Sequence, residues 1–218
     1  MQVELQQLDL RYGALLSRDR RREGRALAAA SDAGGGLAVV VVCEGTRHVV
    51  VEGFERVQAL ERLGHDTTPA TLWSLTAPEA LALRERLRQG RLSALEEGRL
   101  IEELIGSEGF REEEMARQLA RSASWVRRRR ELVRVLPQAV QTRVRRGELS
   151  ADVASGPLFT LAKQSRRTCE RLCEAIAGKD FTRRQVARLV SALRRPGAES
   201  RERVLLDPQL YLKADEAA

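Results

Sequence analysis

Two valine-rich runs separated by a short turn dominate the hydrophobic pattern near the start of the chain. Residues 37–43 form a continuous apolar run, residues 44–47 have turn character, and a second apolar run follows at 48–52. β-Branched runs of this length, bounded by turn residues, are typical of buried strands joined in a hairpin. We therefore predict two paired strands in this region.

Helical patterns flank the predicted hairpin. The segment 54–63 starts directly after Gly53 and places apolar side chains along one helical face, and residues 25–30 are strong helix formers. Residues 68–75 have the pattern of a third strand. Residues 1–77 are thus predicted to form a small α+β domain.

The remainder of the chain is dominated by helical periodicity. From residue 78 to residue 195 the apolar positions recur every three or four residues, interrupted only at glycines and prolines. Residues 196–218 contain apolar residues in one cluster and are expected to be a mobile C-terminal tail. The predicted architecture is an α+β domain followed by an all-α domain, mostly helical overall.

A helix-turn-helix pattern occupies residues 111–134. Met115 and Leu119 share one face of a first helix, a turn of three residues follows, and Val126 is placed to pack back on them from a second helix. Ser122 stands where it can cap the second helix. This spacing is typical of DNA-binding proteins, although helix pairs of similar spacing also occur in ordinary bundles.

The charge distribution favours the DNA-binding interpretation. The chain carries a net charge of +7, and 35 of its 38 basic residues are arginine. Residues 1–100 are balanced at 14 basic and 14 acidic groups, whereas residues 115–150 hold ten arginines against two glutamates. A GC-rich genome explains the abundance of arginine, but it does not explain the clustering. A concentrated basic patch indicates a polyanionic partner.

The second helix of the motif and the helices after it provide the candidate contacts to double-stranded DNA. Ser124, Arg127 and Arg128 are predicted to approach base edges or phosphates in the major groove, close to the helix start at Ser122. The residues expected to hold the phosphate backbone are Arg121, Arg143, Arg145 and Arg146.

Several other classes of protein are disfavoured. The longest apolar run has seven residues, far below the about 20 of a membrane span. Three irregularly spaced cysteines are typical of reduced thiols, which favours a cytoplasmic protein. The predicted binding of DNA would associate it with the nucleoid. Cys169 and Cys173 have no further ligand nearby, so packing is expected rather than metal binding. No catalytic residue is predicted.

The order of these motifs resembles that of the ParB/RepB-type partition proteins over about residues 5–195. The matching stretches are residues 92–97, 115–126, 147–151 and 181–185. The resemblance implies an N-terminal nucleotide-binding domain, a central helix-turn-helix domain that binds DNA, and a role in plasmid or chromosome partition.

The resemblance also implies binding of CTP with Mg²⁺. The phosphate-binding signature of the family, Gly-Glu-Arg-Arg-x-Arg-Ala, aligns with residues 53–59, which keep Gly53 and Arg56 but lack the flanking arginines. A second motif, Glu-Asn-x-Gln-Arg, aligns with residues 85–89, and an earlier Gly-Leu-Leu-Gln-Pro motif is equally altered at residues 34–38. The arginines still available for phosphate are Arg84, Arg86 and Arg88. The departures argue against CTP hydrolysis.

Two alternative functions remain open at this point. The chain could be a transcriptional regulator or a mobile-element accessory factor that binds no nucleotide. It could also be an enzyme of the same N-terminal fold, either a CTPase or a small-molecule kinase, with Glu52 or Glu55 near Arg56 as a base. Sulfiredoxin activity is disfavoured because the nearest cysteine, Cys43, lies ten residues before the loop that would need it.

The expected oligomeric state depends on the end of the chain. Partition proteins usually continue into a C-terminal dimerisation domain, and the sequence ends at residue 218 without an evident one. A homodimer would then have to form through the helical domain or the tail, whereas a monomer would read only half of a DNA site.

Overall fold

The valine-rich runs form the centre of a five-stranded mixed sheet in the computed structural model, which describes residues 1–16, 24–28, 38–87, 92–195 and 197–217. The sheet has the strand order β1-β5-β3-β4-β2. Its strands are β1 (Gln2–Glu4), β2 (Leu8–Asp9), β3 (Val39–Glu44), β4 (Arg47–Glu52) and β5 (Thr67–Leu72).

Strands β3 and β4 form the predicted hairpin. They pair antiparallel, with Glu44 opposite Arg47, so that Gly45 and Thr46 make a two-residue turn. Gly45 takes a φ of +60°, a conformation that glycine adopts without steric cost. Strand β5 pairs parallel with β3, and β2 pairs parallel with β4. The predicted third strand is therefore confirmed as β5, which ends three residues earlier than expected.

Apart from β5, the elements described after the hairpin are helices, as the periodicity predicts for residues 54–63 and 78–195. In the first half of this region they are α1 (Phe54–Arg62), α2 (Ala77–Leu87), α3 (Ala94–Glu108), α4 (Glu112–Gln118), α5 (Ala123–Val135) and α6 (Gln138–Arg145). In the second half they are α7 (Ala151–Val153), α8 (Phe159–Ala162), α9 (Arg166–Ile176), α10 (Arg183–Arg194), α11 (Ala198–Leu206) and α12 (Pro208–Ala217).

The arginine-rich segment before the hairpin is only partly described. Residues 24–28 are helical, as the helix-forming composition of 25–30 indicates, and the glycines at 34–36 lie outside the described residues. Upstream, the chain forms a short 3₁₀-helix at Arg11–Leu15.

The described residues divide into two compact units. The first comprises Met1–Leu92 and Leu100–Val126, and the second comprises Ser93–Arg99 and Arg127–Ala218. Helices α3 and α5 each contribute residues to both units. The sequence-based domain boundaries at residues 77 and 195 divide the chain by composition and stay a prediction.

The core of the first unit lies on the sheet. Helices α1 and α2 pack against β3 and β4, and α2 also packs against α4. Residues such as Val41, Val49, Val57 and Leu81 are almost completely buried there. Met115, Leu119 and Val126 belong to the same cluster, so the helix-turn-helix turn is built into this core.

The second unit is entirely helical. Its core includes Leu95, Leu136, Leu172 and Leu189, all with almost no exposed surface. A π-helical turn at Ala154–Leu158 joins α7 to α8 and packs against α10. The predicted combination of an α+β part and a helical part is thus confirmed.

The expectation of a mobile tail is wrong for the described residues after position 196. Residues 198–217 form helices α11 and α12, and Val204, Leu205 and Leu212 belong to the core of the second unit. The reason is the apolar cluster that the sequence shows there, because it covers α9 and α10 instead of remaining in solvent. No helix in the described ranges is long and apolar enough to cross a membrane.

Candidate nucleic-acid interface

The turn of the helix-turn-helix is closed by backbone hydrogen bonds. The amide of Arg121 donates to the carbonyl of Ala116 (2.9 Å), and that of Ala120 donates to Arg117 (3.1 Å), a pair of bonds that ends α4 in a Schellman motif. Ala120 occupies the left-handed position of this motif, with a φ of +51°. The chain thereby reverses direction within three residues and starts α5.

Helix α5 begins as the sequence indicates. The hydroxyl of Ser122 accepts a hydrogen bond from the amide of Trp125 (3.2 Å) and lies 3.0 Å from the hydroxyl of Ser124. Ser122 therefore caps the helix, which confirms the predicted helix start. The guanidinium of Arg121 lies 5.2 Å from the centre of the Trp125 ring, which is the geometry of a cation–π contact.

The predicted base-reading residues share one face of α5. With about 100° between successive residues, Ser124, Arg127 and Arg128 fall within one third of the helix circumference. All three are exposed. Within the described ranges, Arg127 and Arg128 have no ion pair, so their guanidinium groups remain available to a partner.

The opposite face of α5 is turned towards the protein. Val126 is completely buried, and Arg129 and Val133 are half-buried on the same side. The Nε atom of Arg129 lies 2.5 Å from Oε2 of Glu97, whose side chain is only 7% exposed. The four consecutive arginines at 127–130 thus divide into two exposed and two half-buried side chains.

The predicted backbone-contacting arginines of the second unit lie at the end of α6. Arg145 is exposed and has no ion pair among the described residues. Arg143 and Arg146 both approach Glu148, at 3.1 and 3.9 Å. Surface pairs of this kind contribute about 0–1 kcal/mol, so they leave both arginines able to exchange Glu148 for a phosphate.

The residues of the altered phosphate motif surround the junction of β4 and α1. Gly53 has a φ of +99°, and a Cβ atom there would lie 2.8 Å from Cγ1 of Val39, so only glycine fits. Its carbonyl accepts the amides of Arg56 and Val57 (3.0 Å each), which starts the helix. Burial lowers the pKa of Arg56.

Arg84, which directly precedes the second nucleotide motif, lies beside this junction. The guanidinium of Arg84 is 6.0 Å from the centre of the Phe54 ring, the first residue of α1. The structure therefore brings Arg84 close to Gly53 although 31 residues separate them in the sequence. Arg86 is exposed at the end of α2, and Arg88 lies outside the described residues.

The candidate metal and thiol chemistry is not supported by the described part of the chain. No group of three histidine, cysteine or acidic side chains that could hold a metal ion occurs there. Cys169 and Cys173 are buried in the second core, and burial raises the pKa of these thiols to about 12 and about 11. Neutral thiols in this position pack as small apolar side chains, as the sequence indicates.

The residues that contact α5 on the side opposite Ser124, Arg127 and Arg128 were not identified from the sequence. Glu97 and Gly98 of α3 contact Arg129, and Gln141 of α6 bonds to the end of α5. The sequence does contain one signal, the capping box in which Ser93 and Glu96 exchange hydrogen bonds at the start of α3. The close approach at Gly98 has no such local signal.

Comparison with protein families gives a match in the helical region. Residues 90–195 match the model of the ParB HTH domain. This range contains the helix-turn-helix described above and most of the second unit.

Two relatives are similar in sequence. Chromosome-partitioning protein Spo0J of Thermus thermophilus is 34% identical over 118 residues, covering 53% of this chain and 43% of that protein. Stage 0 sporulation protein J of Bacillus subtilis is 27% identical over 146 residues, covering 66% of this chain and 50% of that protein. The chain therefore spans about half the length of these relatives.

Two solved structures also align. Both are crystal structures of the C-terminally truncated chromosome-partitioning protein ParB from Caulobacter crescentus. The complex with the centromeric parS site covers 88% of this chain and 98% of that chain, with a TM-score of 0.40 and 20% identity. The complex with CTP-gamma-S covers 75% and 97%, with a TM-score of 0.34 and 23% identity.

The family match covers the segment in which the motif order resembles the partition proteins most closely. The resemblance to ParB-type partition proteins is thereby confirmed, with residues 90–195 matching the model of the ParB HTH domain.

Proposed function

We propose that this chain binds double-stranded DNA sequence-specifically through α5 and acts in plasmid or chromosome partition. The observation that carries the proposal is the exposed face formed by Ser124, Arg127 and Arg128 on a capped helix of a helix-turn-helix. Arginine can bind guanine through two hydrogen bonds in the major groove, and serine can bond to a base or a phosphate. The similarity to a chromosome-partitioning protein of Thermus thermophilus supports the role in partition.

Phosphate contacts would orient this helix in the groove. The proposed contacts come from the start of α5 and the end of α6, where the side chains are exposed or paired only with Glu148. They are Arg121, Ser122, Arg143, Arg145 and Arg146. Such contacts supply affinity without sequence information, because every sequence presents the same phosphates. A protein of this kind acts in the cytoplasm, on the nucleoid.

A titration of DNA by fluorescence anisotropy tests the proposal. The duplex is first selected from a random library by the protein, and a scrambled duplex of equal length serves as the reference. We expect affinity to fall as salt rises. Replacing Arg127 and Arg128 by alanine should cost about 1–3 kcal/mol on the selected duplex for each base that an arginine no longer reads. Binding to the scrambled duplex should weaken less, through the loss of two positive charges alone. No binding, or binding that does not change with salt, contradicts the proposal.

A second candidate function is the binding of CTP with Mg²⁺ at the junction of β4 and α1. The supporting observation is that Arg84 lies beside Phe54, next to the Gly53 turn. A glycine turn that leads into a helix offers free amides to a phosphate, and arginine adds positive charge. The proposed nucleotide residues are Gly53, Arg56, Arg84, Arg86 and Arg88.

Calorimetry with CTP, ATP and GTP, with and without the selected duplex, tests this second function. Micromolar binding of CTP, without binding of ATP or GTP, would favour a DNA-binding protein that is modulated by nucleotide. No heat with any nucleotide would leave a DNA-binding protein without a nucleotide, which corresponds to the regulator or accessory factor considered above.

We also propose that the chain binds DNA as a homodimer. A symmetric dimer of helix-turn-helix proteins reads two half-sites about one helical turn apart, or a multiple of that distance. The selected duplex should then be a palindrome, and light scattering should give twice the mass of one chain. A monomeric mass with and without DNA, together with a single half-site, contradicts the dimer.

A further inference from the structure

Helix α5 is held on the side opposite its exposed face. Ser124, Arg127 and Arg128 lie on the front, whereas Arg129 and Val133 point about 140–180° away from Ser124. Both residues on the back are half-buried. Contacts on this side can change the orientation of the front without touching DNA.

The first of these contacts is a close approach between two helices. Gly98 of α3 lies against the backbone of α5, where a Cβ atom would collide with the carbonyl oxygen of Arg129 and lie 2.8 Å from Cγ2 of Val133. The obstacle is backbone, which cannot rotate away as the end of a long side chain would. Any larger residue at position 98 must therefore move one helix relative to the other.

The neighbouring residue adds a charged contact. Glu97 is buried, and its Oε2 atom accepts a hydrogen bond from Nε of Arg129 at 2.5 Å. A carboxylate to guanidinium bond is directional, so it restricts rotation of α5 about its own axis. The start of α3 is itself fixed by the capping box between Ser93 and Glu96.

The end of α5 is held by a third contact. The amide nitrogen of the buried Gln141 side chain donates to the carbonyl oxygens of Val133 (2.7 Å) and Leu136 (3.0 Å). The backbone carbonyl of Gln141 in turn accepts a hydrogen bond from the guanidinium of Arg99 in α3, at 2.9 Å. Burial is the main reason that the pKa of Arg99 is lowered. Helix α3 thus holds the middle of α5 directly, and α6, which α3 contacts through Arg99, holds its end.

We infer that Glu97, Gly98 and Gln141 are positioning residues that set the orientation of α5 and thereby its discrimination between DNA sequences. The inference rests on the proposed function of α5. Base contacts require hydrogen bonds aligned with the groove, so a small rotation weakens them. Non-specific binding depends on the number of charges near the phosphates, which such a rotation does not change.

The decisive comparison is between Gly98→Ala and Gly106→Ala. Both positions lie in α3, and the added methyl group would meet nothing within 4 Å at position 106. Affinities for the selected and the scrambled duplex are measured by anisotropy at one salt concentration, and folding is checked by circular dichroism. Glu97→Gln provides a milder second variant, because it keeps the size and an oxygen acceptor while removing the charge.

For Gly98→Ala we expect the ratio of selected to scrambled affinity to fall about tenfold or more, which is the effect of removing one base-specific hydrogen-bonded pair. Scrambled-duplex affinity should stay within about twofold, because the phosphate contacts are retained. Gly106→Ala should leave the ratio unchanged, and Glu97→Gln should lower it in the same direction as Gly98→Ala.

Two results would overturn the inference. One is an equal ratio for Gly98→Ala and Gly106→Ala. The other is a parallel decrease of affinity for both duplexes together with a lower melting temperature, since that would show a role in stability alone. If the unmodified protein itself does not distinguish the two duplexes, the proposed function has failed before any variant is compared.

Discussion

Ala120 carries backbone strain at the centre of the helix-turn-helix. Among the described residues it is the only one besides glycine with a positive φ, at +51°. Its side chain is exposed, so the methyl group contributes no packing that would offset the strain. The left-handed conformation costs an ordinary residue about 1–2 kcal/mol, whereas glycine adopts it freely.

We therefore expect Ala120→Gly to stabilise the protein by about 0.5–1 kcal/mol, because relief of strain exceeds the added freedom of the unfolded chain. The measurement is urea unfolding followed by circular dichroism. The control is Ala187→Gly, at an exposed position within α10, which should destabilise by about 1 kcal/mol because glycine is a poor helix former. Two changes of the same sign would contradict the explanation.

The residues of the site differ in how far sequence predicts them. Ser122 and Val126 follow from local rules of capping and periodicity, and both lie where those rules place them. Gly98 cannot be found in this way, because the backbone that requires its small size lies 31 residues further along the chain. Close approaches of this kind are visible only when the packing is known.

At the scale of elements, the C-terminal helices show that an apolar cluster can become helical by packing on helices that precede it in the sequence. The cluster in residues 204–212 is evident in the sequence, but its partners are the apolar faces of α9 and α10. Ion pairs between helices accompany this packing, including Arg171 with Glu202 (2.6 Å) and Arg188 with Asp215 (2.5 Å). A periodic segment near the end of a chain is thus a candidate helix whenever an earlier helix offers it an uncovered face.

The packing of α12 predicts the effect of two leucine substitutions. Leu212 is 4% exposed, so Leu212→Ala should destabilise the protein by about 2–4 kcal/mol through reduced burial and a cavity. Leu210, two residues earlier in the same helix, is 63% exposed, and Leu210→Ala should change stability by less than about 0.5 kcal/mol. Thermal unfolding of the two variants tests this, and equal effects would mean that α12 does not pack as described.

Elements that pair with neighbours in the sequence are easier to predict from pattern than elements that pair with distant segments. The hairpin β3–β4 and the pair α4–α5 depend on neighbouring residues, so pattern and turn residues are sufficient. Strands β1 and β2 have only three and two residues, and they form through pairing with β5 and β4, far along the chain. Their sequence carries too few positions for a period of two to be recognised.

At the scale of the whole molecule, the largest local excess of positive charge lies in one part of the chain. Residues 115–150 hold eight more basic than acidic groups, while the net charge of the complete chain is only +7. The remaining residues sum to a net charge of about −1, because the five extra basic groups of residues 151–200 are offset by acidic groups elsewhere in the chain. The attraction to DNA should then come mainly from the helix-turn-helix and α6.

This distribution predicts how single arginines affect the salt dependence of DNA binding. Arg145→Ala should reduce the slope of log affinity against log salt by about 1, because one fewer phosphate is neutralised and one fewer counterion is released. Arg62→Ala, at an exposed position of α1 outside the basic region, should leave the slope unchanged. The slopes come from anisotropy titrations on the scrambled duplex, and equal slopes for the two variants would show that the charges act without regard to location.

The division of α5 into a front and a back has a consequence for divergence between related proteins. The front residues Ser124, Arg127 and Arg128 support no core contact, whereas the back is fixed by Glu97, Gly98 and Gln141. Substitutions other than proline at the three front positions should leave the fold intact, so new DNA preferences can arise one residue at a time. A lineage with this arrangement can acquire a different target sequence while inheriting the same scaffold.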